Sequence, residues 1–377
     1  MKLYLFNPEN DIALVYGRRR FTLSPQVARL HGDGSLLPLW YADEGDMVLS
    51  SGVDIGWLND MRGIFCLHPE VVESCHASCQ GSPWGWSFDA ARRLSAAGAS
   101  VLDDKRLDSI ASVSHRRVSI EIMSSLRDAL SFQLPPVPVE ITTISELREI
   151  VADAPVYVKA PWSSSGRGVF RVAAVDDRVA ARVNGIFRRQ GSVILERSLD
   201  KKCDFAMLFH SSGGKVEWVG YSLFFNSTGD AYGGNLLADD VMIEDMLVAA
   251  GATREHLHAI RSELTGILAG VIDGVYDGYF GVDMLVTTGG MVAPCIELNL
   301  RMTMGVVSHI LVERHLAPGV TGIYRVMHGL PTEVRTPVVR NHRLVEGTVF
   351  LTPPSPAGFN FMMETGSYDM VSRCLYS

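Results

Sequence analysis

The expected architecture is α+β, headed by an α/β unit, and three observations point to it. Short apolar segments alternate with helical ones through roughly the first hundred residues. Further on, apolar runs come in neighbouring pairs joined by Gly-containing turns, as at 281–286 and 291–300 around Thr287-Thr288-Gly289-Gly290, which is how antiparallel hairpins read. Helical stretches mix with those hairpins, so a doubly wound sheet is excluded for this half.

Leu3 and Leu5 supply a first strand, and Ile12-Ala13-Leu14-Val15 reads as further strand material. Gly32-Asp33-Gly34-Ser35 and Pro83-Trp84-Gly85-Trp86-Ser87 read as turns or loops. Phe88, Ala91, Leu94 and Ala97 recur at helical spacing, with Gly98 as the C-cap. A short strand at 100–102 follows, and the charged run Asp103-Asp104-Lys105-Arg106 marks a boundary, which gives a first domain over 1–106. Residues 107–130 read as helical until Gln133-Leu134-Pro135-Pro136-Val137-Pro138 stops them. Thr143 or Ser145 caps the next helix. Strands at 156–159 and 168–172 flank a Ser/Gly loop, a helix covers 175–189, and another strand covers 193–196. Strand material at 203–210 and 218–225 precedes a helical stretch over 238–268.

The chain has 377 residues, 47% hydrophobic and 20% charged, with a formal net charge of −8. That composition excludes global disorder. Nucleic-acid binders are usually basic, so a nucleic-acid partner is not expected. No apolar run approaches the ~20 residues that span a bilayer, and the short apolar start at Met1 is followed at once by Asn7-Pro8-Glu9-Asn10-Asp11. The expectation is a cytoplasmic protein without a membrane partner. The six cysteines, at 66, 75, 79, 203, 295 and 374, are expected as reduced structural thiols. A local group of Cys66, His68, Cys75, His76 and Cys79 offers metal ligands as the alternative, without the paired C-x-x-C spacing of common zinc sites.

Three stretches carry chemistry. In Ile296-Glu297-Leu298-Asn299-Leu300-Arg301, apolar and polar residues alternate. Strand side chains alternate faces, so Ile296, Leu298 and Leu300 face a core while Glu297, Asn299 and Arg301 share the other side. Two hard oxygen donors suit Mg²⁺, and a guanidinium beyond them suits a phosphoryl group. The preceding strand brings Asp283 near Glu297, with Pro294 making the register uncertain through a bulge or edge position. A solvated β face with one exposed acid is the plainer alternative. The second stretch, Val158-Lys159-Ala160-Pro161-Trp162-Ser163-Ser164-Ser165-Gly166-Arg167-Gly168, ends a strand in lysine before a loop whose N–H groups and hydroxyls suit phosphate oxygens. It is neither a Walker A nor a G-x-G-x-x-G motif, and a flexible turn is the plainer reading. In the third, Val193-Ile194-Leu195-Glu196-Arg197-Ser198-Leu199 presents a strand end to a planar base, and Asp204 is an acid placed for ribose hydroxyls.

In this order these stretches resemble the ATP-grasp superfamily over about residues 107 to 310, most specifically in the D…E-x-N-x-R hairpin of Asp283, Glu297, Asn299 and Arg301. The resemblance implies two α+β subdomains clasping ATP, over 107–195 and 196–377, with 1–106 as the domain that precedes them in this family. It implies that Lys159 contacts the α and β phosphates and that Ser164, Ser165, Gly166 and Gly168 close over the β and γ phosphates. Glu196, Arg197 and Leu199 fall at the adenine and Asp204 at the ribose. Asp283, Glu297 and Asn299 become ligands for one or two Mg²⁺ ions, and Arg301 steadies the transferred phosphoryl group. Arg116 or Arg117 matches a basic phosphate contact of many relatives, and Asn235 a residue that lines the phosphate site in some.

The implied activity is an ATP- and Mg²⁺-dependent carboxylate–amine ligase that makes an acyl-phosphate for attack by an amine, with amino-acid or peptide-like substrates. A regulatory ATP-binding protein without turnover and a small-molecule kinase remain open beside it. No residue is singled out as a general base; His309 is a candidate on position only, and a structural histidine is the plainer reading. Asn7, Glu9, Asn10 and Asp11 at a strand end, Arg18-Arg19-Arg20, and the tryptophans of the 83–87 loop are substrate-side candidates. Many relatives are dimers, so a homodimer is the family-level expectation.

Overall fold

A computed structural model describes residues 1–163, 168–226 and 232–366. Along the chain run β1 (Lys2–Leu5), α1 (Asn10–Tyr16), α2 (Pro25–Asp33), β2 (Met47–Leu49), α3 (Ile55–Phe65), β3 (Glu70–Val72), β4 (Gln80–Pro83), α4 (Phe88–Ala96), α5 (Asp104–Val113) and α6 (Val118–Ala129). Next come β5 (Val139–Ile141), α7 (Ile144–Asp153), β6 (Val156–Lys159), β7 (Val169–Val172), α8 (Asp177–Gln190), β8 (Val193–Arg197), β9 (Lys201–Ser212), β10 (Lys215–Asn226) and β11 (Tyr232–Leu237). The rest is α9 (Asp240–Ala249), α10 (Arg254–Ile272), β12 (Gly278–Thr287), β13 (Val292–Asn299), α11 (Met304–His315), β14 (Gly322–His328), β15 (Val338–Arg340), β16 (Arg343–Glu346), β17 (Thr348–Phe350) and β18 (Phe359–Thr365). The chain divides into two compact units: Met1–Asp108, Gly220–Ile243 and Arg301 onward form the first, and Ser109–Val219 with Glu244–Leu300 the second.

The first unit opens with a parallel sheet in the order β3-β2-β1-β4. β1 pairs with β2 through Leu3↔Met47 and with β4 through Leu3↔Gly81. The chain therefore builds outward on one side of β1 and then crosses to the other. Burying Leu3, Met47, Val48, Leu94 and Trp84 stabilises this layer. Trp84 and Trp86 are buried here, so the two loop tryptophans pack onto their own unit. Ser87 accepts from the Ala90 amide and starts α4.

Ile12-Ala13-Leu14-Val15 lies in α1, not in a strand as its composition suggests. A four-residue apolar run has no period of its own, and here Ala13 and Leu14 turn inward on a helix that follows β1 directly. Arg18 of the arginine triplet pairs with Asp104 and Asp108, all three exposed. Further on, β11-β14-β18-β17 run side by side as antiparallel neighbours, backed by α11.

Cys75 and Cys79 are joined as a disulfide, which corrects the expectation of reduced thiols there. The loop between β3 and β4 brings their Cα atoms to 6.7 Å, within bridging range. Cys66, Cys203 and Cys295 are free, and no group of three or more metal-ligating His, Cys, Asp or Glu occurs among the described residues.

The second unit has two sheets. The smaller, in the order β5-β8-β6-β7, is antiparallel and packs α7 and α8 over Leu147, Val158, Val183, Val193 and Leu195. Thr143 caps α7 in a full capping box with Glu146, which settles the Thr143-or-Ser145 alternative. The larger run is β13-β12-β9-β10. Its hairpin turn needs glycine: Gly290 has φ +80°, and a Cβ there would lie 2.5 Å from the Gly251 carbonyl oxygen.

Two expected helices each break in two. The stretch 107–130 is α5 and α6, interrupted at 114–117, and 238–268 is α9 and α10, restarted by Thr253, which accepts from the His256 amide. Among the described residues no helix is long and apolar enough to cross a membrane.

Candidate functional site

The second unit gathers most of the singled-out residues on a chain of short contacts. Asp283 and Glu297 are direct cross-strand partners, and Gly281 faces Asn299. Side chains repeat every second residue, so Asp283, Glu297 and Asn299 share one face of the hairpin. The Asn299 amide donates to Asp283 Oδ2 at 2.9 Å. The register shifts between Asp283 and Leu285, opposite Pro294, where the missing N–H predicted an irregularity. On the neighbouring strand Ala206 faces Asp283 and Asp204 faces Leu285, so Asp204 sits on the same face, diagonal to Asp283. Lys201 donates to Asp204 at 2.5 Å.

Lys159 ends β6 opposite Ile194, and Glu196 lies one step away opposite Tyr157. The Lys159 ammonium donates to Glu196 Oε2 at 2.7 Å and to the Ile296 carbonyl at 3.3 Å. It is thus seated beside the strand that carries Glu297. Both side chains are deep, 7% and 12% exposed, and a buried pair of this kind is held by its own hydrogen bonds.

Between Arg116 and Arg117 the structure distinguishes plainly. Arg117 is exposed and 3.4 Å from Glu140. Arg116 is 6% exposed in the break between α5 and α6. Its Nη1 donates to the Ala160 carbonyl and to Ser163 Oγ, both at 2.6 Å, and its Nη2 to Glu297 Oε1 at 2.6 Å. Its Nε–H is buried without a hydrogen-bond partner among the described residues. The neighbouring His115 accepts from the Arg117 amide and packs against the Trp162 edge. Burial, helped by the charge of Arg117, lowers its pKa to about 4, so it is a neutral acceptor at ordinary pH.

Glu196, Arg197 and Leu199 border a cleft whose apolar lining includes Met123, Pro135, Ala293 and Ile296. Cys295 also lines it, with its thiol pushed up to about 12 by burial, so it stays an inert SH group. Met123 and Ala293 did not stand out in the sequence, whereas Ile296 was read as core-facing and Pro135 as part of a helix stop.

Gly168 has φ +97°, and a Cβ there would come within 3.2 Å of both Ala160 and Ser163. Its carbonyl accepts from the Ala160 amide, closing the neck of the Ser/Gly loop. Ser164, Ser165 and Gly166 lie outside the described residues.

Arg301, Asn235 and His309 fall in the first unit. β13 ends at Asn299, so Arg301 does not continue its face. The Arg301 guanidinium instead holds Asp11 by two parallel bonds of 3.1 and 3.0 Å, the geometry that suits Arg to a carboxylate. Asn235 is 1% exposed on β11, donating to Ser222 Oγ at 2.6 Å and accepting from the Tyr232 hydroxyl. His309 lies 3.4 Å from Glu313, and a Cβ on Gly220 would reach within 2.6 Å of its ring.

No family model matches the sequence, and no curated protein matches it. The structure does match solved ones. A biotin carboxylase from Campylobacter jejuni in complex with β,γ-ATP aligns over 99% of this chain and 89% of that one, at 12% identity and a TM-score of 0.53. An N5-carboxyaminoimidazole synthetase from Staphylococcus aureus in complex with ADP aligns over 99% and 95%, at 10% identity and a TM-score of 0.51. The biotin carboxylase domain of a 2-oxoglutarate carboxylase from Hydrogenobacter thermophilus aligns over 78% and 73%, at 13% identity and a TM-score of 0.50. The likeness covers nearly the whole chain and defines the architecture: the chain has the ATP-grasp fold.

Proposed function

We propose that this chain is an ATP-dependent carboxylate–amine ligase with its nucleotide site in the second unit. The observation that carries this is the linked set Glu196–Lys159, Arg116–Glu297 and Asp283–Asn299, with Asp204 on the same face. It gathers two buried cations and several acids, the charges that phosphate and metal binding use. The nucleotide complexes of the biotin carboxylase and the carboxyaminoimidazole synthetase that share the fold support the same reading.

The adenine is assigned to the apolar cleft beside Glu196, Arg197 and Leu199, which at about 10 Å³ must widen to admit it, and the ribose hydroxyls to Asp204. Lys159 and Arg116 face the phosphates, and the unpartnered Nε–H of Arg116 is a buried donor suited to an anion. Gly168 closes the neck of the loop that follows Lys159. Asp283, Glu297 and Asn299 would hold Mg²⁺. Their oxygens are hard donors on one face, which is the donor set this ion takes. Bound there, Mg²⁺ supplies charge neutralisation at the phosphates.

The substrate carboxylate attacks the γ-phosphorus, ADP leaves, and an amine then displaces phosphate from the acyl-phosphate. Positioning and charge supply most of the rate in such transfers, so no protein nucleophile is needed. Product analysis tests this: with Mg·ATP, a carboxylic acid and an amine, ADP and inorganic phosphate should appear together in equal amounts. ADP with a phosphorylated product would make the chain a kinase, and absence of ADP a binding protein.

A further inference from the structure

A polar cavity of about 340 Å³ lies wholly within the first unit, at the carboxyl ends of its parallel strands. Leu5 ends β1, Leu49 ends β2 and Glu73 follows β3, and all three line it. Open parallel sheets bind ligands outside these ends, and the volume is that of a small-molecule pocket. Beneath it lies a charged triad that the sequence did not reveal, because His31 and Arg93 stand 22 and 84 residues from Glu9. The Glu9 side chain is 2% exposed.

Arg93 Nη1 donates to Glu9 Oε1 at 3.0 Å, and Arg93 Nη2 lies 2.5 Å from His31 Nε2. A guanidinium cannot accept, so Nε2 is the lone-pair nitrogen and the ring's other N–H donates to Glu9 Oε2 at 3.2 Å. Glu9 balances the charge of Arg93. The arginine side chain remains 34% exposed, with donors left over on its fork.

Three further features complete the pocket. Ser50 and Ser51 bring hydroxyls, Leu5 and Leu49 bring apolar surface, and Glu73 brings an exposed carboxylate that no ion pair reaches among the described residues. A guanidinium fork and an unpaired carboxylate on one small pocket complement a molecule that carries a carboxylate and an ammonium together. We infer that this pocket binds a free α-amino acid, its carboxylate on Arg93 and the serine hydroxyls and its ammonium on Glu73. That the amino acid is a substrate rests on the ligase reading above; that it binds does not.

The test is calorimetric titration of the full chain, without nucleotide, with the common amino acids one at a time. For the one that binds, the analogues lacking the amino or the carboxyl group follow. Saturable binding at or below millimolar concentration is expected, with both analogues failing. Both Glu73→Gln and Ser50→Leu avoid the buried triad; Ser50→Leu also breaks the 2.8 Å Ser35–Ser50 hydroxyl contact, so its urea unfolding is compared with the parent's. Each should weaken binding about tenfold or more, the loss of one charge-assisted contact or of the space itself.

No saturable binding, or binding that both variants leave unchanged, overturns the inference. Mg·ATP titrated into the same sample separates the two readings. Nucleotide binding without amino-acid binding removes this pocket and leaves the ligase. Amino-acid binding without nucleotide binding removes the ligase and leaves the pocket.

Discussion

Lys159→Met separates the structural weight of the Lys159–Glu196 pair from its nucleotide role. Methionine keeps the length and apolar body of the stem and removes the ammonium. Glu196, 12% exposed, loses the cation 2.7 Å away, and the Ile296 carbonyl loses a donor at 3.3 Å. Orphaning one member of a buried pair costs roughly 3–5 kcal/mol. Glu196 keeps some exposure, so the lower end, about 3 kcal/mol, is expected. Adding Glu196→Gln removes the orphaned charge and should restore most of that loss. The double variant still lacks the ammonium at the phosphates, so its affinity for Mg·ATP should stay weakened by about 1.5–3 kcal/mol, at least tenfold. Urea unfolding reads the first quantity and calorimetry the second. If the double variant bound nucleotide as tightly as the parent, Lys159 would be a structural lysine and the phosphate assignment would be wrong.

Glu297→Gln keeps the shape of the side chain that faces Arg116 and Asp283 while removing a charge, and it should abolish the Mg²⁺ dependence of nucleotide binding, read by titrations with and without the ion. Thr143→Ala breaks the capping box of α7 and should lower stability by about 1 kcal/mol in urea unfolding, with nucleotide affinity unchanged. His315 is 7% exposed, and its pKa is lowered to about 4, chiefly by burial. Between about pH 6.5 and 4 the unfolded chain takes up a proton there that the folded chain refuses. This contribution is complete above about pH 6.5 and is lost as pH falls, by about 2 kcal/mol between pH 7 and 5. Unfolding curves at the two pH values should show a smaller acid loss for His315→Gln than for the parent.

Much of the hairpin was legible because strand alternation is a strict period of two. Alternation puts Glu297 and Asn299 on one face, and the turn at 287–290 brings Asp283 near them; that Asp283 lies directly opposite Glu297 depends on the register shift between Asp283 and Leu285, which the sequence left open. The limit of the same rule is Arg301, where β13 has ended and a carboxylate at Asp11, 290 residues away, decides the side chain's direction. Arg116 and Arg117 are adjacent and chemically equal in sequence; only the break between α5 and α6 buries one and exposes the other. Ile12–Val15 was too short a run to show its period. The Glu9–His31–Arg93 triad and the apolar cleft were invisible because their members come from separate elements, and tertiary pairing leaves no local pattern.

The central claim is that the second unit binds ATP through a Mg²⁺-dependent site. Calorimetric titration of a non-hydrolysable ATP analogue into the full chain, with Mg²⁺ and then with a chelator, tests it most directly. The account predicts one site per chain, with affinity that falls at least tenfold when Mg²⁺ is removed and in Glu297→Gln. Absence of binding, or binding indifferent to both the ion and Glu297, would contradict it.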